Sequence, residues 1–126
     1  MEDSKVYILN KAGHDYSGAQ QWGELVAVVS GNMNVFRPDR SLFTIKEKLE
    51  KFDPEKDYLL LSGNTFGNVL SVMYIMHLLK DNIKRVNLLI YDAKNVEYLL
   101  HVLDLSNGLQ FVRVSYGKRG VIGATD

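Results

Sequence analysis

The chain has 126 residues, 46% of them hydrophobic and 24% charged, and its 15 Lys and Arg are balanced by 15 Asp and Glu. That is enough chain for one domain with a real core. Zero net charge argues against a general nucleic-acid or anionic-membrane binder, which carries a basic excess, and the lack of cysteine rules out disulfides, thiol nucleophiles and thiolate metal sites.

The first residues, Met-Glu-Asp-Ser-Lys, are acidic and polar, unlike the basic start and apolar stretch of a signal peptide. No run approaches the ~18 apolar residues of a membrane span. The expected location is the cytoplasm of whatever cell makes the chain.

Residues 6–9 (Val-Tyr-Ile-Leu) predict a short buried strand. A polar loop over 10–17 follows, and Ser17 is placed to cap a short helix through Gln21 and Trp22 that ends at Gly23. Residues 25–29 predict a second strand, 30–32 (Ser-Gly-Asn) a turn, and 37–40 a loop around Pro38. Ser41 is expected to cap a helix through Phe52. Its apolar positions Leu42, Ile45, Leu49 and Phe52 recur at helical spacing, with Lys46, Glu47, Lys48, Glu50 and Lys51 outward.

Residues 58–61 (Tyr-Leu-Leu-Leu) predict the most clearly buried strand. A loop over 62–68 opens a helix that starts at about Thr65 or Asn68 and runs to Lys80. This helix is apolar almost all round, so it is either buried on most sides or buried on one and dimerised through the other. A homodimer or higher homo-oligomer is therefore expected. Residues 86–90 form the next strand. Residues 96–105 fit a helix through Val96, Leu99, Leu100 and Leu103, or a strand with Tyr98, Leu100 and Val102 on one face. The strand is preferred, because 92–95 and 106–108 make plausible hairpin turns leading on to a strand over 111–116. Residues 118–126 are Gly-rich and read as a flexible tail. The whole is one α/β domain over 1–126, a three-layer-like sandwich with a mixed, partly parallel central sheet and antiparallel C-terminal strands.

Ligands of open α/β sheets bind outside the carboxyl ends of the parallel strands, and two polar loops fall there. In the loop after the third strand, Gly63 and Gly67 let the backbone approach a ligand. Ser62, Asn64 and Thr65 add donors, and a helix start favours anions. It lacks the Lys of a Walker loop and is not Gly-x-Gly-x-x-Gly. The plainer explanation is a glycine turn with Asn64 or Thr65 capping the helix. The first loop packs Asn10, Lys11, Gly13, His14, Asp15, Tyr16 and Ser17 into eight positions. Lys11 suits a phosphate and His14 exchanges a proton near neutral pH. Asp15 suits either orienting His14 or receiving a ribose hydroxyl, and Tyr16 or Trp22 suits stacking on a base. The plainer explanation is a solvated loop with Asp15 or Ser17 as a cap.

Arg37 suits a bidentate phosphate contact, although with Asp39 and Arg40 it fits a surface ion-pair set better. His77 and His101 have no metal-ligand spacing, so neither a metal nor a cofactor is expected.

The stretch Val6-Tyr7-Ile8-Leu9-Asn10-Lys11-Ala12-Gly13-His14-Asp15-Tyr16-Ser17 resembles a family of small tailed-bacteriophage proteins that begin with a short strand and an Asn-Lys-x-Gly-His-Asp-aromatic-Ser loop. Gly23 to Val26, Lys56-Asp57-Tyr58-Leu59 and Arg85-Val86-Asn87-Leu88-Leu89 extend the resemblance over roughly residues 5–105. The 63–65 loop is matched loosely and the tail after Leu105 is not. Small phage proteins include sponges that sequester nucleotide immune signals, so the resemblance implies an anti-defence sponge. The expected function is non-catalytic sequestration of an ADP-ribose-like or cyclic nucleotide, with no nucleic-acid or membrane partner. The alternatives are a nucleotide hydrolase or transferase using His14 and Asp15, and a protein–protein inhibitor acting through the apolar helix. On the sponge reading, His14→Ala and Asn64→Ala remove binding and leave the melting temperature nearly unchanged.

Overall fold

The structure, a computed structural model, describes residues 3–106, 108–116 and 120–124. Strand β1 (Lys5–Lys11) runs into a 3₁₀ segment (Ser17–Trp22) and then β2 (Glu24–Ser30). Helix α1 (Pro38–Leu49) leads to β3 (Tyr58–Leu60), and α2 (Thr65–Leu79) leads through a short turn at Lys80–Asn82 to β4 (Arg85–Asp92). Strands β5 (Glu97–Asp104), β6 (Gln110–Tyr116) and β7 (Gly120–Ala124) follow. The seven strands form one sheet in the order β2-β1-β3-β4-β5-β6-β7. The first four are parallel, and β4 to β7 form an antiparallel meander.

Unbroken apolar runs in β1 and β3 are what a sheet covered on both faces requires. Along β1, Tyr7 and Leu9 join Ile45, Leu49, Phe52 and Ile75 under the two α-helices. Val6 and Ile8 alternate to the other face, against Tyr16, Ala19 and Trp22 of the 3₁₀ region. The sandwich thus has a full helical layer on one side and a single short segment on the other. Asp57 is turned inward: its carboxylate accepts the N–H groups of Lys5 and Asp53, both at 2.9 Å, fixing the loop that enters β3.

Three boundaries differ from the sequence reading. Helix α1 begins at Pro38, not at a Ser41 cap, because proline's fixed φ suits a first helical turn and its missing N–H has no partner there anyway. The same helix ends at Leu49, and Phe52 lies beyond it yet still packs in the core. Ser17 opens the 3₁₀ segment without capping it; the Asp15 carboxylate takes the Ser17 N–H at 2.9 Å instead.

Residues 97–104 are a strand, paired along its length with β4 (Leu89 opposite Leu100), and the hairpin turn occupies 93–96. Cross-strand pairing and burial of Tyr98, Leu100 and Val102 override the helical period. Of the second expected turn, Asn107 lies outside the described residues. The reading of 118–126 as a loose tail does not extend to Gly120–Ala124, which run antiparallel to β6 as β7; an open strand edge offers unpaired N–H and C=O groups to any nearby extended chain. Residues 117–119 and 125–126 lie outside the described residues.

Candidate functional site

From β1 the chain passes to β2 on one side, then crosses back through α1 to β3 and β4 on the other. The loops leaving β1 and β3 therefore diverge and leave a crevice at the carboxyl edge of the sheet. Asn10, only 3% exposed, frames it. Its side-chain NH₂ donates to the Val29 and Gly31 carbonyls at 3.3 and 2.9 Å, and its Oδ1 accepts the Asn64 N–H at 2.7 Å. One side chain thus ties the ends of β1 and β2 to the start of α2. Gly63 lies against it with φ +73°, where a Cβ would run into the Asn10 side chain and carbonyl.

Asn64 caps α2: its Oδ1 accepts the Gly67 N–H at 3.1 Å. Asn68 locks the preceding turn. Its Oδ1 accepts the Ser62 N–H at 3.0 Å, and its NH₂ donates to the Ser62 and Asn64 carbonyls at 2.7 and 2.6 Å. The first loop is pinned to this turn by Tyr16, whose hydroxyl sits 2.6 Å from Ser62 Oγ and accepts the Ala12 N–H at 3.0 Å.

Two lobes meet at Gly63. A wider, more open lobe of about 750 Å³ lies over β1 and β2, lined by Lys11, Gly13, Gly31, Asn32, Met33 and Asn64 among others. A tighter lobe of about 320 Å³ lies over β3 and β4, walled by His14, Tyr16, Leu61, Ile90, Tyr91 and Tyr98. Ser17, Gly18 and Glu97 continue its outer rim past Asp15 and Tyr91.

The loop residues are thereby placed. Lys11 and His14 are exposed at the crevice, His14 edge-on to Tyr16 with ring centroids 6.0 Å apart. Asp15 faces the Ser17 N–H, not the His14 ring, and that hydrogen bond holds its carboxyl below the ordinary carboxylate range. Trp22 cannot serve as a base platform: it is buried in the core, 6.4 Å from the Tyr58 ring. Tyr16 is a buried strut that contributes a wall. Arg37 is outside the crevice lining and pairs with Asp39 at 3.6 Å on the surface, and Thr65 is exposed on α2 outside the lining.

Tyr91 and Tyr98, at a centroid distance of 5.2 Å, are the aromatic pair that the sequence reading missed. The signal was present: β4 is parallel to β1, so its end must reach the same edge, and the hairpin returns Tyr98 opposite Tyr91. The 30–33 segment was missed on the same ground, since β2 ends there too. Burial, reinforced by Tyr16, Tyr91 and Asp15 nearby, pushes the Tyr98 phenol up to about 12. A phenol whose folded value is raised stabilises the fold fully below its unfolded value of about 10 and loses that contribution as pH rises toward the folded one. Melting temperature is therefore expected to fall between pH 10 and about 12, and less steeply in Tyr98→Phe; absorbance at 295 nm follows the ionisation.

The cap changes one expectation. Asn64→Ala removes the oxygen that holds Gly67, so it is expected to cost about 1 kcal/mol, or roughly 4 °C in melting temperature. Thermal denaturation by circular dichroism measures it. His14→Ala removes an exposed side chain with no hydrogen bond to the frame, and leaves stability within about 0.5 kcal/mol.

A family model described as phage Pam3 gp32-like protein matches residues 4–105. The chain belongs to that family. It is thus a member of a small phage protein family, and the phage Pam3 gp32-like match spans β1 to β5, including every residue that lines the two lobes. It ends at Leu105, before β6 and β7. No curated protein and no solved structure matches the chain. Among the described residues, no helix is long and apolar enough to cross a membrane.

Proposed function

We propose that this phage Pam3 gp32-like protein binds and sequesters a small nucleotide-type signal, ADP-ribose-like or a cyclic nucleotide, without turning it over. The observation that carries the reading is the junction at Gly63 of a wide lobe that holds Lys11 and Asn32 with a tighter one walled by tyrosines, at the topological switch point of the sheet. Phosphates suit the wider lobe, which Lys11, Asn32 and the backbone at Gly13 and Gly63 line. A base suits the tighter lobe, where the exposed ring of Tyr91, backed by the buried Tyr98, offers an aromatic wall and His14 a polar edge. Zero net charge fits a small phosphate ligand better than a polymer. Sequestration is preferred to turnover because the acid–base pair turnover would use is not assembled: Asp15 is held by Ser17.

The test is a thermal-shift screen with ADP-ribose, cyclic ADP-ribose and cyclic di- and oligonucleotides. A ligand at about 100 times its Kd stabilises the folded state by about 2.7 kcal/mol, and melting is expected to rise by roughly 10 °C. Lys11→Ala and His14→Ala are expected to abolish the shift while keeping the unliganded melting temperature. A flat response across the panel, or an undiminished shift in both variants, overturns the reading.

A further inference from the structure

One face of α2 is both apolar and exposed. Gly67, Ser71 and Ile75 turn inward at a four-residue spacing. The opposite side carries Phe66, Val69, Val72, Met73 and Met76, all exposed, with Met73 at 63%. No Asp, Glu, Lys or Arg occurs anywhere from Thr65 to Leu79, and His77 is the one ionisable side chain of this outward face. The neighbouring helix α1, packed beside α2 over the same sheet face, adds Phe43, 68% exposed. An exposed helix of a globular protein normally reserves this side for charge.

We infer that this face is the interface between two copies of the chain, packed α2 on α2 about a two-fold axis. Area supports a second copy as the occupant. The five α2 residues expose roughly 400 Å² and, with Phe43, roughly 550 Å² per copy, so a pair buries about 1,100 Å², past the ~1,000 Å² that a specific interface clears. The absence of charge supports it further. A surface that meets itself across a two-fold axis sets like against like, which an apolar, uncharged helix tolerates and a charged one does not. A helix of 15 residues is about 22 Å long, and Val72 and Met73 stand at its middle, where the axis brings each close to its own counterpart. The face is separate from the ligand reading, since none of its five residues lines the crevice lobes.

Sedimentation equilibrium on the full chain tests this. The wild-type chain is expected to have twice the monomer mass at ~100 µM and to dissociate on dilution. Met73→Glu is expected to be monomeric at ~100 µM with its far-ultraviolet spectrum unchanged, because the side chain is exposed in the single copy. Mixing Met73→Glu with Met73→Lys is expected to restore the doubled mass. A wild-type chain that stays monomeric at the highest concentration overturns the inference and leaves the face to a different protein or to none. A Met73→Glu chain that dimerises as well as the wild type overturns it too.

Discussion

Gly63→Ala is expected to lower the melting temperature by about 10 °C. The loss has two sources. The backbone there has φ +73°, and an L-residue in the left-handed region costs about 1–2 kcal/mol that glycine does not. The added Cβ also meets Asn10, whose side chain cannot swing away because it holds three backbone groups. Together these come to about 3 kcal/mol, and for a domain of this length each kcal/mol is worth about 4 °C. Thermal unfolding of the variant without ligand reads the loss directly. The expected collateral effect is loss of any ligand shift, since the two lobes meet at this residue. A variant that melts within 2–3 °C of the wild type, inside one kcal/mol, would show that the turn is not under the constraint described.

The second large effect is expected at Asn10. Asn10→Ala strips the frame of three hydrogen bonds in a buried position and leaves the Asn64 N–H and the Val29 and Gly31 carbonyls to find other partners. Each buried group left unsatisfied costs about 1–3 kcal/mol, and partial entry of water reduces the total. A loss of about 3 kcal/mol and roughly 10 °C is expected. Asn10→Asp separates the polar roles: it keeps an acceptor for Asn64 but turns a carboxylate oxygen toward two carbonyls. It is expected to be at least as damaging at neutral pH as Asn10→Ala. If Asn10→Ala melts like the wild type, Asn10 is not the brace of the crevice.

These two residues also mark how far the sequence could be read. The alternation of apolar runs and amphipathic stretches made the α/β sandwich legible, because burial on both faces demands such runs of β1 and β3. The strand over 97–104 was legible only through its turns, since Leu99, Leu100 and Leu103 serve either period. The α1 start was misplaced because proline reads as a breaker unless its first-turn role is considered. At the crevice, the two loops were found by topology, and the structure brings them together. Their internal division of labour was not legible. Asn10, Asn64 and Tyr16 are suited equally to a ligand or to the frame, and only the fold shows their hydrogen bonds turned inward. Tyr91 and Tyr98 were hidden because a tyrosine in a strand gives no sign of its place until strand order is known. The apolar circumference of α2 was plain from the start, and the structure puts half of it outside.

The most direct measurement is chromatography of what the protein retains. The chain is incubated with the nucleotide that gives the largest thermal shift, desalted, heat-denatured, and the supernatant resolved by reversed-phase chromatography with mass detection. Sequestration predicts the same nucleotide, chemically intact, near one equivalent per crevice, and none from His14→Ala or Lys11→Ala. Recovery of a hydrolysed or transferred product, or of no nucleotide from the wild-type chain, would contradict it.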